Sequence, residues 1–452
     1  MAEITHNERA EKKLRHLAGA IESGRLEPIR RMLDALNAGE IAHLLESLPL
    51  TKRLLVWEAV DDDHDGDILV HVNEEVRATL IQEMDEQELI AATAELELDD
   101  LADILDDLPE DVIRQVLLLM DHADRERLAQ VLSYPEDSAG GLMNPEVITV
   151  RADVTLNVVT RYLRMHESVP DPLDQIFVVD REGHYMGRLP IQALLFEDGE
   201  KIVFHVIDNS FPAFRVETPA TDVAHDFETY DLISAPVVDN QNILTGFITI
   251  DDVVDVIREE GEHSVLSMAG LDEDEDMFAP IFLSVRRRSL WLGINLLTAF
   301  LAAAFISMYE DTLQQVVALA VLMPIVASMG GIAGTQTLTL VIRALAVGQI
   351  APGNIRDVFS KELLVGVFSG LLLSIVVAVI TTLWFKNIQL GYVIAIALAI
   401  NVTIGAVSGV VVPITLKRMQ IDPALAGGVV LTTVTDITGF VSFLGLGTWF
   451  LL

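Results

Sequence analysis

The last third of the chain is a series of long apolar runs, and no other feature limits its fold so strongly. Leu290–Met308, Thr312–Ile342, Leu363–Trp384, Gly391–Leu416 and Ala424–Phe450 are each long enough to cross a bilayer as a helix. In hydrocarbon every backbone amide must find its partner within the protein, so runs of this length predict five membrane helices.

Charge divides the chain at the same place. From Ser289 onward there are six acids (Glu310, Asp311, Asp357, Glu362, Asp422, Asp436) and six bases (Arg343, Arg356, Lys361, Lys386, Lys417, Arg418). The whole chain carries 68 acidic and 30 basic residues, so its net charge of −38 lies entirely in residues 1–288. So acidic a segment repels nucleic acid and anionic lipid and attracts divalent cations. The absence of cysteine removes disulfides, thiolate metal sites and thiol catalysis. The opening MAEITHNERAEKK lacks the apolar core of a cleavable signal, which predicts a cytoplasmic location for residues 1–288.

The loops predict the orientation. Arg286–Arg288 precede the first run and Glu310 and Asp311 follow it. Arg343, Arg356 and Lys361 follow the second, only Lys386 the third, and Lys417 and Arg418 the fourth. The basic clusters share the side of residues 1–288, which the positive-inside rule places in the cytoplasm. An odd number of spans then leaves the C-terminus outside a multi-pass protein of the cell (inner) membrane.

Asp436 is the sole charge in the last run. A carboxylate at membrane depth costs roughly 3 kcal/mol on insertion scales and is kept where it faces water or binds something. Thr432, Thr433 and Thr435 lie beside it, and Gly427, Gly428 and Gly439 flank it. This predicts an ion path; the competing reading pairs Asp436 with a base such as Arg343. The second run contains Pro324, Gly330, Gly331, Gly334, Thr335 and Gln336. Proline and glycine at that density predict a kinked or loosened helix that lines the pore. The alternative is close helix packing through small residues.

Two repeats organise the acidic part. Glu40-Ile-Ala-His-Leu-Leu-Glu-Ser-Leu-Pro49 returns 60 residues later as Asp100-Leu-Ala-Asp-Ile-Leu-Asp-Asp-Leu-Pro109. An acidic cap, helical apolar spacing and a closing Leu-Pro predict stacked short helices, an all-α superhelical domain. Further on, Ile176-Phe-Val-Val-Asp180 returns 59 residues later as Ala235-Pro-Val-Val-Asp239. Gly187 and Gly246 follow, and then the helices from Ile191 to Phe196 and from Asp251 to Arg258. This strand–turn–strand–helix unit resembles a pair of α+β CBS domains. The nucleotide pattern Gly-x-x-Thr-x-x-Asp of such domains is present once, at Gly246, Thr249 and Asp252; Pro190 and Ala193 replace it in the first copy. Thr249 and Asp252 are therefore a candidate site for ATP or another adenine nucleotide, or simply a helix cap.

Asp252, Asp255 and Glu259 are spaced three and four apart on the helix leaving the second repeat, so they share a face. Asp272–Asp276 continues the acidic connector. Like charges so placed favour a bound cation, against the default of a solvated face. Asp61–Asp67 begins like an EF-hand loop, but Val72 stands where the bidentate glutamate belongs, so an acidic loop is expected.

In its order of parts the chain resembles the MgtE family of magnesium channels. The resemblance rests on Tyr134-Pro-Glu-Asp-Ser-Ala-Gly-Gly-Leu-Met143, on Trp291 with Asn295-Leu-Leu, on the Gly-Gly-x-x-Gly-x-Gln of the second span, and on Asp422-Pro-Ala followed by Thr432-Thr-Val-Thr-Asp436. It implies a homodimer with the pore on its axis, and a division into a helical acidic domain (1–133), two CBS domains (134–199 and 200–257), a connecting plug helix and linker (258–284) and a five-helix transmembrane domain (285–452). It implies that Asp436 binds hydrated Mg²⁺, that Asp231, Asp252, Asp255 and Glu260 act as sensors of cytosolic Mg²⁺, and that Asp422 lies near the cytoplasmic mouth. Asp99, Asp100 and Asp103 are further candidate ligands in the helical domain. The chain departs from the family pattern at Ile332, at Ala426-Gly-Gly-Val429, and at His263 and Ser264.

The expectation is a Mg²⁺-selective channel gated by cytosolic Mg²⁺. The alternative is a secondary transporter exchanging Mn²⁺ or Co²⁺ for protons or Na⁺, which would ordinarily carry several membrane-buried acids. A membrane signalling protein without transport is a third. No Walker loop, nucleophile elbow or His-Glu-x-x-His motif is present, so no enzyme is expected.

Overall fold

The computed structural model describes residues 26–94, 96–165, 173–271, 276–350 and 353–452. The opening stretch and acidic residues 272–275 lie outside the described residues. The chain forms two compact units, residues 1–260 with 274–279, and residues 261–273 with 280–452.

In the first unit, nine short helices among the described residues precede the sheets: α1 (Leu26–Leu33), α2 (Ala38–Glu46), α3 (Leu50–Trp57), α4 (Asp65–His71), α5 (Glu74–Ile81), α6 (Glu86–Thr93), α7 (Leu98–Leu105), α8 (Glu110–Leu119) and α9 (His122–Val131). Their apolar faces share one core, with Ile29, Leu45, Val56, Leu69, Leu80, Ile104 and Leu128 buried in it. The repeated acids Glu40 and Asp100 do not stand at the N-cap position itself. Both occupy first helical turns: Glu40 is the second member of the capping box with Asn37, its carboxylate accepting from the Asn37 amide at 3.3 Å, and Asp100 follows the N-cap Glu97. Each Leu-Pro also begins a helix, since Pro49 and Pro109 are the N-caps of α3 and α8. Pro has no N–H to lose at that position.

The aspartate-rich loop does not fold as a calcium loop. Asp62–His64 is a 3₁₀ turn and Asp65 starts α4. A Cβ on Gly66 would lie 2.1 Å from the Ala92 carbonyl oxygen, so this glycine serves the packing of α4 on α6. Val72, the missing ligand, is 3% exposed in the core.

Two similar three-stranded sheets follow. The first has β1 (Thr149–Arg151), β2 (Gln175–Val179) and β3 (Tyr185–Pro190), with α10 (Leu156–Leu163) after β1 and α11 (Ile191–Phe196) after β3. The second has β4 (Phe214–Arg215), β5 (Ser234–Val238) and β6 (Leu244–Thr249), with α12 (Ala220–Tyr230) after β4 and α13 (Ile250–Met268) after β6. In each, the first pair is parallel and the second antiparallel, with one irregularity after Val178 and after Val237. The short opening strands β1 and β4 carry too few residues for an alternating pattern to be read.

The second unit holds five helices of membrane-spanning length among the described residues: α14 (Ile281–Ser307), α16 (Val317–Ala346), α17 (Ile355–Phe385), α18 (Ile388–Arg418) and α19 (Pro423–Leu451). The second apolar run is divided. A short helix, α15 (Glu310–Gln315), ends at Val316, whose φ of −127° and ψ of 77° break the helix before α16. Pro324 and the glycines do not interrupt α16, the second of these helices. The segment stays α-helical from Val317 to Ala346.

The close packing of α16 on α18 explains the glycines. A Cβ on Gly405 would lie 2.5 Å from the Gly330 oxygen, and one on Gly409 2.7 Å from the Gly334 oxygen. α18 is the central helix, buried along its length from Leu390 to Pro413, whereas α14 buries only Ala302 among its described residues.

Candidate functional site

A cavity of about 430 Å³ opens between α16 and α19. Ala327, Ser328, Gly331, Ile332, Thr335 and Gln336 line it from α16, and Thr432 and Asp436 from α19. The spacing of four along each helix puts these residues on one face. Asp436 is half-buried and has no hydrogen-bond or ion-pair partner among the described residues. Arg343 is exposed, and among the described residues no ion pair joins it to Asp436. Thr432 donates its hydroxyl proton to the Gly428 carbonyl over 2.9 Å, which leaves the oxygen lone pairs free to accept.

The remaining pore candidates lie elsewhere. Gly330 and Gly334 are buried against α18. Thr433 is half-buried and donates to the Val429 carbonyl, off the cavity wall. Asp422 is the N-cap of α19, accepting from the amides of Ala424 and Leu425 at 2.9 and 3.1 Å, and its Oδ2 lies 3.3 Å from His263 Nε2.

The first unit gathers a second set of carboxylates. Asp99 and Asp100 on α7 share one electrostatic neighbourhood with Asp251, Asp252 and Asp255 on α13. Burial, then Asp252 and Asp100, push the Asp99 carboxyl up to about 8, and its Oδ1 has no hydrogen-bond partner. Asp252 is pushed up to about 7 by burial and by Asp251 and Asp100, against the hydrogen bond it accepts from the Thr249 hydroxyl at 2.7 Å. Asp100 is raised by burial and by Asp67, Asp251 and Asp255, while His71 works the other way. Asp103 stands at the solvent-exposed rim and is also raised, by desolvation and by Glu136, Asp100 and Asp252.

Thr249 and Asp252 thus join the last strand to the first turn of α13 as a cap does. Asp231 is the left-handed C-cap of α12, and Glu259 and Glu260 are exposed farther along α13. Glu97 and Asp251, which the sequence did not single out as ligands, belong to the same surface. A helical face could be read from the spacing on α13, but the helix opposite it could not.

Glu362 is a second buried carboxylate of the helical bundle, near the start of its helix. The third apolar run starts at Leu363, but α17 begins at Ile355, and Glu362 is buried with an oxygen 3.2 Å from the Thr337 hydroxyl of α16.

Comparison with known proteins covers both units. The family described as divalent cation transporter, MgtE, matches residues 323–446; the MgtE intracellular N domain matches 36–137; and the CBS domain matches 139–198 and 203–259. The magnesium transporter MgtE of Thermus thermophilus is 30% identical over 436 residues, covering 95% of this chain and 96% of that protein. The chain belongs to the MgtE family. The MgtE of Bacillus subtilis is 27% identical over 431 residues, again with 95% of this chain and 96% of that protein covered. Among solved structures, the cytosolic domain of the Mg²⁺ channel MgtE in complex with ATP is 30% identical, with 53% of this chain and 98% of that chain covered and a TM-score of 0.48. As an MgtE protein with five membrane-length helices, the chain is a membrane protein.

Proposed function

We propose that this MgtE protein carries Mg²⁺ across the cell membrane through the cavity between α16 and α19. The observation that carries this reading is Asp436, an unpaired carboxylate on the wall of that cavity among threonine hydroxyls. Mg²⁺ parts with its water reluctantly, so carboxylate and hydroxyl groups that accept from water suit a hydrated ion. The names of the relatives, magnesium transporters, agree.

The finer reading is a Mg²⁺-selective channel that cytosolic Mg²⁺ closes. The carboxylates of α7 and α13 repel one another, and a divalent cation that binds the compact arrangement more tightly shifts the population toward it. Asp231, Asp252, Asp255, Glu259 and Glu260 are the sensors in this reading, with Asp99, Asp100 and Asp103 across from α13, and Asp422 at the inner mouth. The protein acts as a homodimer, with its acidic part cytoplasmic and its C-terminus outside. Its parts are residues 1–133, 134–199, 200–257, 258–284 and 285–452. Thr249 and Asp252 are the adenine-nucleotide candidates.

Uptake of Mg²⁺ into proteoliposomes, with and without a proton gradient, tests the reading. Uptake that follows the Mg²⁺ gradient alone is expected; no uptake at all overturns the transport assignment. Glu362 favours a second reading, exchange of a divalent cation for protons, because it is another buried carboxylate in the helical bundle. Uptake that requires the proton gradient would establish that one.

A further inference from the structure

Asn401 lies midway along α18 and is 0% exposed. Its side-chain Nδ2 donates to the Val326 carbonyl of α16 over 2.8 Å. Its Oδ1 meets no hydrogen-bond donor among the described residues. The same amide fills the space beside two glycines on two helices: a Cβ on Gly330 would lie 2.1 Å from Nδ2, and one on Gly439 2.7 Å from it. One side chain therefore touches the rear of both cavity walls. Val326 immediately precedes the lining residues Ala327 and Ser328, Gly330 precedes the lining residue Gly331, and Gly439 follows Asp436 by three residues.

An amide buried in an apolar bundle is costly, and a leucine would fill the volume without that cost. What leucine lacks is the directed bond to one carbonyl of α16. That bond, with the two glycine contacts, sets where α16 and α19 stand on α18. The separation of those two helices decides how Asp436 and Thr432 meet an ion arriving from across the cavity. A hydrated Mg²⁺ is held through water and responds to that separation, whereas Ca²⁺ tolerates varied geometry at its own ligands. We propose that Asn401 is a positioning residue for the Asp436 site, whose amide fixes the spacing of the two cavity walls and through it the preference for Mg²⁺ over larger or more easily dehydrated divalent cations. This rests on the reading of the cavity as the ion path.

The test compares purified full-length wild type, Asn401→Ala, Asn401→Leu and Asp436→Ala in proteoliposomes, with uptake of Mg²⁺, Mn²⁺, Co²⁺ and Ca²⁺ measured against concentration. For the two Asn401 variants the expected result is a loss of Mg²⁺ preference by about five- to tenfold, the size of a single interhelical hydrogen bond, with maximal flux changed less than the half-saturating concentration. A merely structural role would lower the flux of every ion together and leave the preference unchanged, and that result overturns the proposal. So does failure of both Asn401 variants to give folded, monodisperse protein, since the residue is then needed for bundle assembly and not for ion preference. Asp436→Ala separates the two levels. If it transports like wild type, the ion-path reading itself is wrong; if it is inactive while the Asn401 variants keep the wild-type preference, only the positioning role is wrong.

Discussion

Arg53 donates to Asp276 over 2.7 Å, and both side chains are almost wholly buried. Arg53 also donates to the Leu45 carbonyl at 2.9 Å, and the Asp276 amide donates to Glu75 at the same distance. Residues 274–279 thereby belong to the unit of the short helices, although the chain on either side of them belongs to the other. Asp276 had read as the end of an acidic run; its bonds make it the partner of a buried cation.

Removing one member of such a pair strands the other. Asp276→Ala is expected to destabilise the first unit by about 3–5 kcal/mol, and the double change Arg53→Met with Asp276→Leu by much less. Hydrogen exchange of α3 in the full-length protein measures both. Equal loss in the single and double variants would show that the ion pair is not what Arg53 contributes.

Asp436→Ala is expected to abolish divalent uptake while the protein remains folded. The side chain has no partner within the chain, so its loss leaves no buried group unsatisfied. Circular dichroism and size exclusion report the fold, and uptake reports the function. Wild-type rates would remove Asp436 from the path.

The raised carboxyls give a pH dependence with a definite sign. Asp99 and Asp252 titrate at about 8 and about 7 in the folded state, well above their ordinary value of 3.8. A raised folded value means that folding binds protons, so their contribution is most favourable below about pH 4 and is lost as pH rises toward 8. Asp180 and Asp208, held low by hydrogen bonds from the 180–184 turn and from Ser210, matter only below that window. In chelator, the melting temperature of the first unit is expected to fall from pH 5 to pH 8.5. Millimolar Mg²⁺ should restore it at pH 8.5 and change little at pH 5, where protons already occupy the carboxyls. A melting temperature independent of pH in chelator would contradict the crowding of these groups.

Neutralising Asp252, Asp255 and Glu260 together is expected to flatten the dependence of uptake on cytosolic-side Mg²⁺ while uptake itself persists. The changes remove the mutual repulsion and the ligands at once, so basal activity can settle high or low, but it should no longer follow Mg²⁺. Asp99→Asn should give part of the same effect, because the Asp252 charge is among the causes that raise Asp99. An unchanged inhibition curve in the triple variant would move the sensor away from α13.

The sequence made some of this legible and hid the rest for physical reasons. Apolar runs announced the membrane helices because hydrocarbon dictates composition over that length. Their ends were hidden, since α14 and α17 continue through Arg286–Arg288 and Glu362, polar residues that a helix holds as easily as apolar ones. The strand–turn–strand repeat was plain, while β1 and β4 were too short to show. In the cavity, Gly331, Thr335, Gln336, Thr432 and Asp436 come together; Gly330 and Gly334 turn away, because neighbours in a helix point about 100° apart. Nothing in the sequence marks Asn401, because its partners, Val326 and Gly439, are remote along the chain and only the folded bundle brings them to it.

The backbone approach of Gly330 and Gly334 to Gly405 and Gly409 limits how this bundle can work. Two helices in such contact resist sliding, since a shift of one residue would drive Met329 and Ala333, or Thr335, into the space that only glycine leaves. α16 and α18 must then travel as one body, and any change in the width of the path falls to elements held less tightly. α14, with a single side chain buried within its own chain, is the least held of the five by the other four.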